Sequence, residues 1–137
     1  EVSRVAAGKS IAICHLAADR LVPLHGGAPR DLAWLRGRRV LGVAALASPA
    51  PFFEALRGTG ALVEEDAFAD HHPFHASDAA RIQATAEGHP IVMTHKDAVK
   101  LRPLLPSSTE AFVLEQAVRI ESGGDALDAA LRRALAG

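Results

Sequence analysis

The chain has 137 residues, 49% of them hydrophobic, which is enough for one domain with a buried core. Its formal net charge of −1, without any block of like charge, argues against nucleic acid as a partner, because phosphate binding requires a basic surface. One cysteine cannot form an internal disulfide, and no apolar run approaches the roughly 18 residues of a membrane span.

The first part of the chain predicts linking strands ahead of a compact domain. Residues 10–24 contain two short apolar runs broken by a polar triplet, which is typical of a small hairpin or a pair of strands. A stretch rich in glycine and proline follows. We therefore predict inter-domain linker strands over residues 1–30 and an α/β domain over residues 31–137. Because the first residue is Glu1, we expect the chain to be a fragment of a longer protein.

From residue 31 onward, apolar runs alternate with helical periodicity. The pattern predicts a helical turn at residues 31–36, strands at 39–46, 61–66, 90–94 and 111–120, and helices at 48–60, 77–87, 95–101 and 125–136. Ser77 is the expected N-cap of the second of these helices. Strands that alternate with helices predict a parallel, doubly wound (Rossmann-like) sheet. We expect about four to five strands, flanked by helices and preceded by a short linker hairpin.

Three polar motifs lie at or after the C-terminal ends of three of the predicted strands. LASP begins at Leu46, the C-terminal end of the first strand, DHHP follows the second strand from Asp70, and THKD begins at Thr94, the C-terminal end of the third. The carboxyl ends of parallel strands meet at one edge of a sheet, and open parallel sheets bind their ligands there. We therefore predict a functional surface at this edge.

Each of these motifs also has a simpler interpretation. DHHP can be only a turn, in which Asp70 bonds to nearby backbone amides. The lysines of KDAVK can belong to a solvated helix face, although Lys96 near a helix N-terminus can also help to bind a phosphate. Because His71 and His72 are adjacent and the sequence has no cysteine pair, we predict no metal site.

The tripeptide Gly8-Lys9-Ser10 looks like the end of a phosphate-binding P-loop, G-x-x-x-x-G-K-[ST]. The first glycine of that motif would fall at Ser3, and no strand precedes it. We therefore interpret the match as coincidental.

Three longer stretches resemble the tetraacyldisaccharide 4'-kinases, the lipid A 4'-kinases of Gram-negative bacteria. They are RVLGVAALASPAPFFEALRGTGA, FADHHPFHASD and IVMTHKDAVKL, in the order and spacing of that family. The upstream AICHLAADRL is similar to the family's linker strand, so the resemblance covers about residues 10–135. The chain differs from the family pattern at Ala45, Ser48 and His95.

The resemblance implies that the chain is the C-terminal lobe of a kinase. Such a kinase transfers the γ-phosphate of ATP to the 4'-hydroxyl of a tetraacyldisaccharide 1-phosphate. ATP and Mg²⁺ would be bound mainly by an N-terminal P-loop domain, which would be one partner of this lobe, and the acylated disaccharide lipid would be another. The enzyme would lie at the cytoplasmic face of the inner membrane as a peripheral protein. This fragment would be soluble and, without a P-loop, inactive alone.

The resemblance also implies roles for particular residues. His71 would pair with a catalytic carboxylate of the other domain, and Asp70 would orient the imidazole or contact the substrate. A histidine titrates near neutral pH, so it can tune or relay the proton of the attacking hydroxyl. The remaining candidates, which would bind substrate or phosphate, are Lys96, Thr94, Asp97, Lys100 and Ser48.

Two other functions fit parts of the sequence. A metal-dependent phosphoesterase of the DHH type is suggested by Asp70-His71-His72, but it would need further aspartates at strand ends, where the chain offers only Asp66 and Asp97. A non-catalytic α/β module that binds a nucleotide or a protein is the third interpretation.

Overall fold

The computed structural model describes the backbone of residues 2–7 and 10–122 and the side chains of residues 17–117. The elements in chain order are β1 Val2–Ala7, β2 Ser10–Pro23, β3 Arg30–Asp31, a 3-10 turn Leu32–Leu35, β4 Arg39–Ala44, α1 Ala50–Gly58, β5 Leu62–Ala67, α2 Ala76–Ala86, β6 Ile91–Met93, α3 His95–Leu101 and β7 Ala111–Ser122. The helix predicted over residues 125–136 lies outside the described residues.

The chain forms two compact units. One comprises residues 1–17 and 116–137, and the other comprises residues 18–115. In the first unit β1 pairs with β2 in an antiparallel hairpin, from Val2 opposite His15 to Ala7 opposite Ser10. The second unit contains every residue of the predicted site. The prediction that residues 1–30 link two domains concerns contacts with a further domain, and it stays a prediction.

The strand β2 corrects one expectation about the start of the chain. A hairpin precedes the α/β core as predicted, but it is formed by β1 and β2, whereas residues 10–23 form one continuous strand. The polar triplet does not break this strand, because its charged members are exposed and paired. Arg20 lies opposite Asp31 of β3, and its Nε donates to Glu115 of β7 at 2.9 Å. Ser10 begins a strand and not the helix that a P-loop requires.

The second unit contains the predicted parallel sheet. β4 pairs in parallel with β5 on one side and with β6 on the other, and β6 pairs in parallel with β7. The order is β5-β4-β6-β7-β2, and β3 pairs with β2 in antiparallel orientation. The prediction of a doubly wound α/β sheet is therefore confirmed, with antiparallel pairs added at its β2 side.

Apolar side chains cover both faces of this sheet, which explains the unbroken apolar run of β4. On one face Val40 and Ala44 belong to a cluster with Phe53 and Leu56 of α1. On the other face Leu41 and Val43 belong to a cluster that includes Ile82 of α2 and Leu101 of α3. Helices on both faces leave the two edges of the sheet, where strands begin and end, as the places at which loops can present polar groups.

Candidate active site

The polar loops gather where the strand order reverses. From β4 the chain first adds β5 on one side, then crosses to β6 on the other side. The loops that leave β4 and β6 therefore diverge in opposite directions at their carboxyl ends, and such a reversal creates a crevice in open α/β sheets. The motif LASP leaves β4 and THKD leaves β6 at this point, and DHHP follows the neighbouring β5.

The first residue of DHHP, Asp70, lies near both His71 and Lys96 of α3. The Nε2 atom of His71 lies 3.5 Å from Oδ2 of Asp70, and Nζ of Lys96 lies 3.8 Å from the other carboxylate oxygen. The His71 side chain is 72% exposed and takes part in no apolar cluster. Three of the predicted site residues therefore meet on the surface, with an imidazole available to solvent.

The next histidine has a different environment. The ring of His72 packs 4.9 Å from the ring of Phe68 and 5.0 Å from that of Phe74, measured between centroids. Its Nε2 lies 3.2 Å from Oδ2 of Asp78 in α2, and only 28% of the side chain is exposed. The two adjacent histidines thus point to different partners, because His71 has a positive φ of 58° that turns the chain between them.

The N-terminus of α2 supports this loop. The same Oδ2 of Asp78 also accepts the backbone N–H of His75 at 2.8 Å, and His75 is the N-cap of α2 in place of the predicted Ser77. The His75 N–H and the nearby His72 imidazole hold the pKa of the Asp78 carboxyl below its ordinary value of 3.8. Asp78 is therefore an ionised acceptor at neutral pH, with the spacing of a helix capping box.

The pKa of a second carboxylate, that of Asp66, is shifted in the opposite direction from that of Asp78. Burial raises the pKa of Asp66, at the end of β5, above its ordinary value of 3.8, and the Arg81 guanidinium opposes part of that rise. Arg81 lies 3.3 Å from Oδ1 of Asp66, and its guanidinium also stacks over the ring of Phe68 at 4.7 Å. The Oδ2 atom of Asp66 is buried and has no partner among the described residues.

The THKD motif connects the two loops of the crevice. Oδ2 of Asp97 accepts the backbone N–H of Ala45 at 2.9 Å and the hydroxyl of Thr94 at 2.7 Å, and Asp97 is fully buried. The Thr94 hydroxyl in turn caps α3 by accepting the Asp97 N–H at 3.2 Å. Thr94 and Asp97, both predicted to bind phosphate, therefore join the loop after β4 to the loop after β6.

The two remaining predicted residues lie on the same edge. Ser48 is exposed in the loop after β4. Lys100 donates from Nζ to the backbone oxygen of His72 at 3.3 Å, so it contacts the DHHP loop from α3. Sequence reasoning missed Asp78 and the aromatic pair Phe68 and Phe74, although the three-residue spacing from His75 to Asp78 is a signal for a helix cap.

A cleft of about 540 Å³ lies elsewhere in the unit. It is bounded by residues 25–30 and by residues 107–110, which precede β7, so it belongs to the amino edge of the parallel strands. It shares no residue with the predicted site. The candidate site is thus separate from this cleft.

The fold places the protein in the class of doubly wound α/β proteins, in which ligands generally bind at the carboxyl edge of the open sheet. A sequence model described as "Tetraacyldisaccharide-1-P 4'-kinase" matches residues 3–136. The chain therefore belongs to the tetraacyldisaccharide-1-P 4'-kinase family.

Individual relatives agree with this assignment. A tetraacyldisaccharide 4'-kinase of Methylorubrum populi is 44% identical over 120 residues, which are 85% of this chain and 33% of that protein. The protein of the same name from Rhodopseudomonas palustris (strain TIE-1) is 46% identical over 85 residues, 60% of this chain and 24% of that protein. The chain thus matches about a quarter to a third of the length of these relatives.

A solved structure shares the fold. The crystal structure of LpxK from Aquifex aeolicus in complex with ATP superimposes with a TM-score of 0.58 at 22% identity, over 88% of this chain and 35% of that chain. At this identity the likeness concerns the fold alone.

Proposed function

We propose that this chain is the C-terminal lobe of a kinase that transfers the γ-phosphate of ATP to the 4'-hydroxyl of a tetraacyldisaccharide 1-phosphate. The family assignment and the names of the relatives support this proposal. The observation that carries it is the state of His71. This imidazole is 72% exposed at the carboxyl edge, beside a carboxylate and a lysine, while its neighbour His72 is packed between aromatic rings.

The proposed role of His71 is to move a proton. The acceptor hydroxyl must lose its proton as it attacks the phosphoryl group, and positioning and charge stabilisation supply the rest of the catalysis. An imidazole exchanges a proton near neutral pH, so His71 can tune or relay that proton together with a carboxylate of a further domain. Asp70, 3.5 Å from His71 Nε2, would orient the ring, and Lys96 would fix Asp70 and offer a positive charge to phosphate.

The other candidate residues differ in how directly they would act. Ser48 is exposed at the crevice, and we propose that its hydroxyl contacts the substrate or a phosphate. Thr94 donates to Asp97, which also accepts the backbone N–H of Ala45, so we propose that the two residues act by fixing the shape of the two loops.

The described residues fit a phosphate group better than a metal ion. The exposed groups of the edge include the imidazoles of His71 and His95 and the ammonium of Lys96, with the exposed carboxylate of Asp70 beside them. ATP would supply the transferred phosphoryl group. Among the described residues no group of three or more histidine, cysteine, aspartate or glutamate side chains is arranged to hold a metal ion, and we propose that a P-loop domain of the same protein binds Mg²⁺ and most of ATP.

The proposed partners of the lobe are that domain and the acylated disaccharide lipid. The proposed location is the cytoplasmic face of the inner membrane, with peripheral attachment. In the part of the chain that the structure describes, no helix has the length and apolar character needed to cross a bilayer.

The DHH phosphoesterase interpretation receives no support from the geometry. The two further aspartates that it would need are Asp66, which pairs with Arg81, and Asp97, which is fully buried and bonded to Ala45. Neither carboxylate is available as an open metal ligand beside Asp70.

The test is a comparison of His71→Ala and His72→Ala in the full-length protein, assayed with ATP and tetraacyldisaccharide 1-phosphate. We expect His71→Ala to lower kcat by roughly 10²–10⁴, the usual range for an acid–base group, without changing the melting temperature appreciably. His72→Ala removes a packed ring, so it should affect stability more than His71→Ala does.

If His72→Ala abolishes turnover while His71→Ala remains close to wild type, the roles of the two histidines are reversed. If neither change lowers kcat, DHHP is only a turn and the proposed catalytic role is wrong.

A further inference from the structure

We propose that Asp78 and Lys100 are positioning residues, which hold His71 in its left-handed backbone conformation by fixing His72 from two different helices. This inference rests on the proposed function, because it concerns how the catalytic imidazole is oriented. Neither residue touches His71. Asp78 and Lys100 both act through His72, the residue after His71.

The conformation of His71 requires a cause. Among the described residues only His71 and Glu87 have a positive φ without being glycine. Glu87 ends α2, and a left-handed residue is the usual way for a helix to stop. His71 ends no helix, and a residue with a Cβ adopts a positive φ at an energetic cost that its surroundings must offset.

Those surroundings are the attachments of His72. Its backbone N–H donates to the oxygen of Ala69 at 3.0 Å, which closes a turn around His71. Its backbone oxygen accepts from Nζ of Lys100 in α3 at 3.3 Å. Its ring lies between Phe68 and Phe74 and bonds to Asp78 of α2. The backbone oxygen of His72 is therefore bonded to α3, and its ring Nε2 is bonded to α2.

The bond to Asp78 also shows which ring nitrogen of His72 carries a hydrogen. An ionised carboxylate only accepts, so Nε2 of His72 must carry a hydrogen to bond at 3.2 Å. Because the same oxygen accepts the His75 N–H at 2.8 Å, one atom joins the ring of His72 to the start of α2. A movement of this carboxylate therefore moves the loop relative to the helix.

On the other side of His71, Asp70 lies 3.8 Å from Lys96 of α3. The exposed imidazole of His71 thus lies between two residues that contact helices: Asp70 contacts α3, and His72 contacts α2 and α3. Misplacing a reacting group by about 1 Å lowers rates by roughly a hundredfold, so these attachments should matter to kcat.

The experiment uses the full-length protein with Asp78→Asn, Asp78→Ala and Lys100→Met. We expect kcat to fall by about 10- to 100-fold for Asp78→Ala and Lys100→Met, with KM for ATP changed by less than about threefold. Asp78→Asn keeps one acceptor oxygen without the charge, so its kcat should lie between wild type and Asp78→Ala. Matched controls are Glu54→Ala in α1 and Arg39→Met at the start of β4, which remove exposed charges outside the three polar loops.

A purely structural role would lower the melting temperature and leave kcat of the folded protein unchanged, and that result would overturn the proposal. A rise in KM for ATP with unchanged kcat in Lys100→Met would also overturn it, in favour of direct phosphate binding by Lys100. If Asp78→Ala fails to fold, Lys100→Met decides alone, because Lys100 takes no part in the cap of α2.

The proposed function has a separate readout. If His71→Ala lowers kcat but all three positioning variants remain within threefold of wild type, only the further inference fails. If His71→Ala itself is harmless, the catalytic role of the loop fails.

Discussion

Two aspartates near the same loop have opposite electrostatic situations. Asp78 accepts two hydrogen bonds, and its pKa is lowered, so its charge is favoured by the fold. Asp66 is mostly buried, has one oxygen without a partner among the described residues, and its pKa is raised. Both carboxylates lie within reach of DHHP, and a sequence of charged letters does not distinguish them. Burial and hydrogen bonding make the difference.

The raised pKa of Asp66 predicts an effect on stability. The folded state binds this proton more readily than the unfolded chain, so the group favours folding below its unfolded pKa of 3.8 and loses that contribution as pH rises through the folded pKa. At pH 7 the ionised Asp66 is therefore a net penalty. We expect Asp66→Asn to leave the melting temperature at pH 7 unchanged or to raise it, with a smaller difference at pH 3.

The control for this prediction is Glu54→Gln, which also replaces a carboxylate with an amide, at an exposed position of α1. Thermal melts of all three proteins at pH 3 and pH 7 provide the measurement. A melting temperature of Asp66→Asn at pH 7 clearly below that of the control would mean that the pairing with Arg81 outweighs the penalty of burial.

Helix α1 shows how an element positions the crevice without taking part in it. Phe53 and Leu56 pack on β4 from one side, and Gly42 of that strand leaves room for them, since a Cβ there would lie 3.1 Å from both side chains. This close approach fixes the start of α1 directly after the loop that carries Ser48. Packing beneath the loop therefore determines where its polar residue is presented.

We expect Leu56→Ala to lower the free energy of unfolding by about 2–5 kcal/mol, because Leu56 is fully buried and its loss leaves a cavity. Urea unfolding of the 137-residue chain, followed by circular dichroism, measures this difference. The matched control is Glu54→Ala in the same helix, at an exposed position, which should change stability by less than about 0.5 kcal/mol. A loss below about 1 kcal/mol for Leu56→Ala would contradict the described packing of α1.

The sequence predicts elements better than it predicts how their ends are formed. The apolar runs of β4 and β6 identify buried strands, and α3 coincides with its predicted range. The N-cap of α2 was predicted wrongly, because Ser77 is the better capping residue by type, whereas the Asp78 carboxylate favours a start at His75. That choice depends on a hydrogen bond which residue preferences do not contain.

For the candidate site, too, the sequence predicted the location better than the local details. The carboxyl edge follows from the alternation of strands and helices, and the structure brings His71, Asp70 and Lys96 together there. The separate directions of His71 and His72 were not predictable from the sequence pattern, because they depend on one positive φ at His71. The roles of both histidines stay predictions until they are measured.

At the scale of the whole molecule, the requirements for folding and for catalysis differ. The described residues form a complete sheet with its own core, whereas the proposed reaction needs a further domain. The alternating β/α order and the two apolar clusters suit independent folding. The chain carries no complete G-x-x-x-x-G-K-[ST] motif. Folding and turnover should therefore separate when the chain is produced alone.

We expect the 137-residue chain to unfold cooperatively and to show neither tight ATP binding nor phosphorylation of tetraacyldisaccharide 1-phosphate. Isothermal titration with ATP and a radiolabelled phosphate-transfer assay test this, with the full-length protein as the positive control. Substantial phosphate transfer by the chain alone would refute the proposed division of labour between the two lobes.

The strand order also has a kinetic consequence. The strands β4, β5 and β6 all lie within residues 39–93. The centre of the sheet can therefore form from strand pairings between residues that are only moderately far apart in the sequence. The contact of Arg20 with Glu115 spans 95 residues, and it can close only after β7 has been synthesised. During synthesis on a ribosome the loops of the crevice would therefore be assembled before β2 acquires its neighbour β7. A chain truncated before residue 111 would contain the whole DHHP loop but would lack β7. Its strand β6 would then be an unpaired edge strand, with which a strand of a second chain can pair.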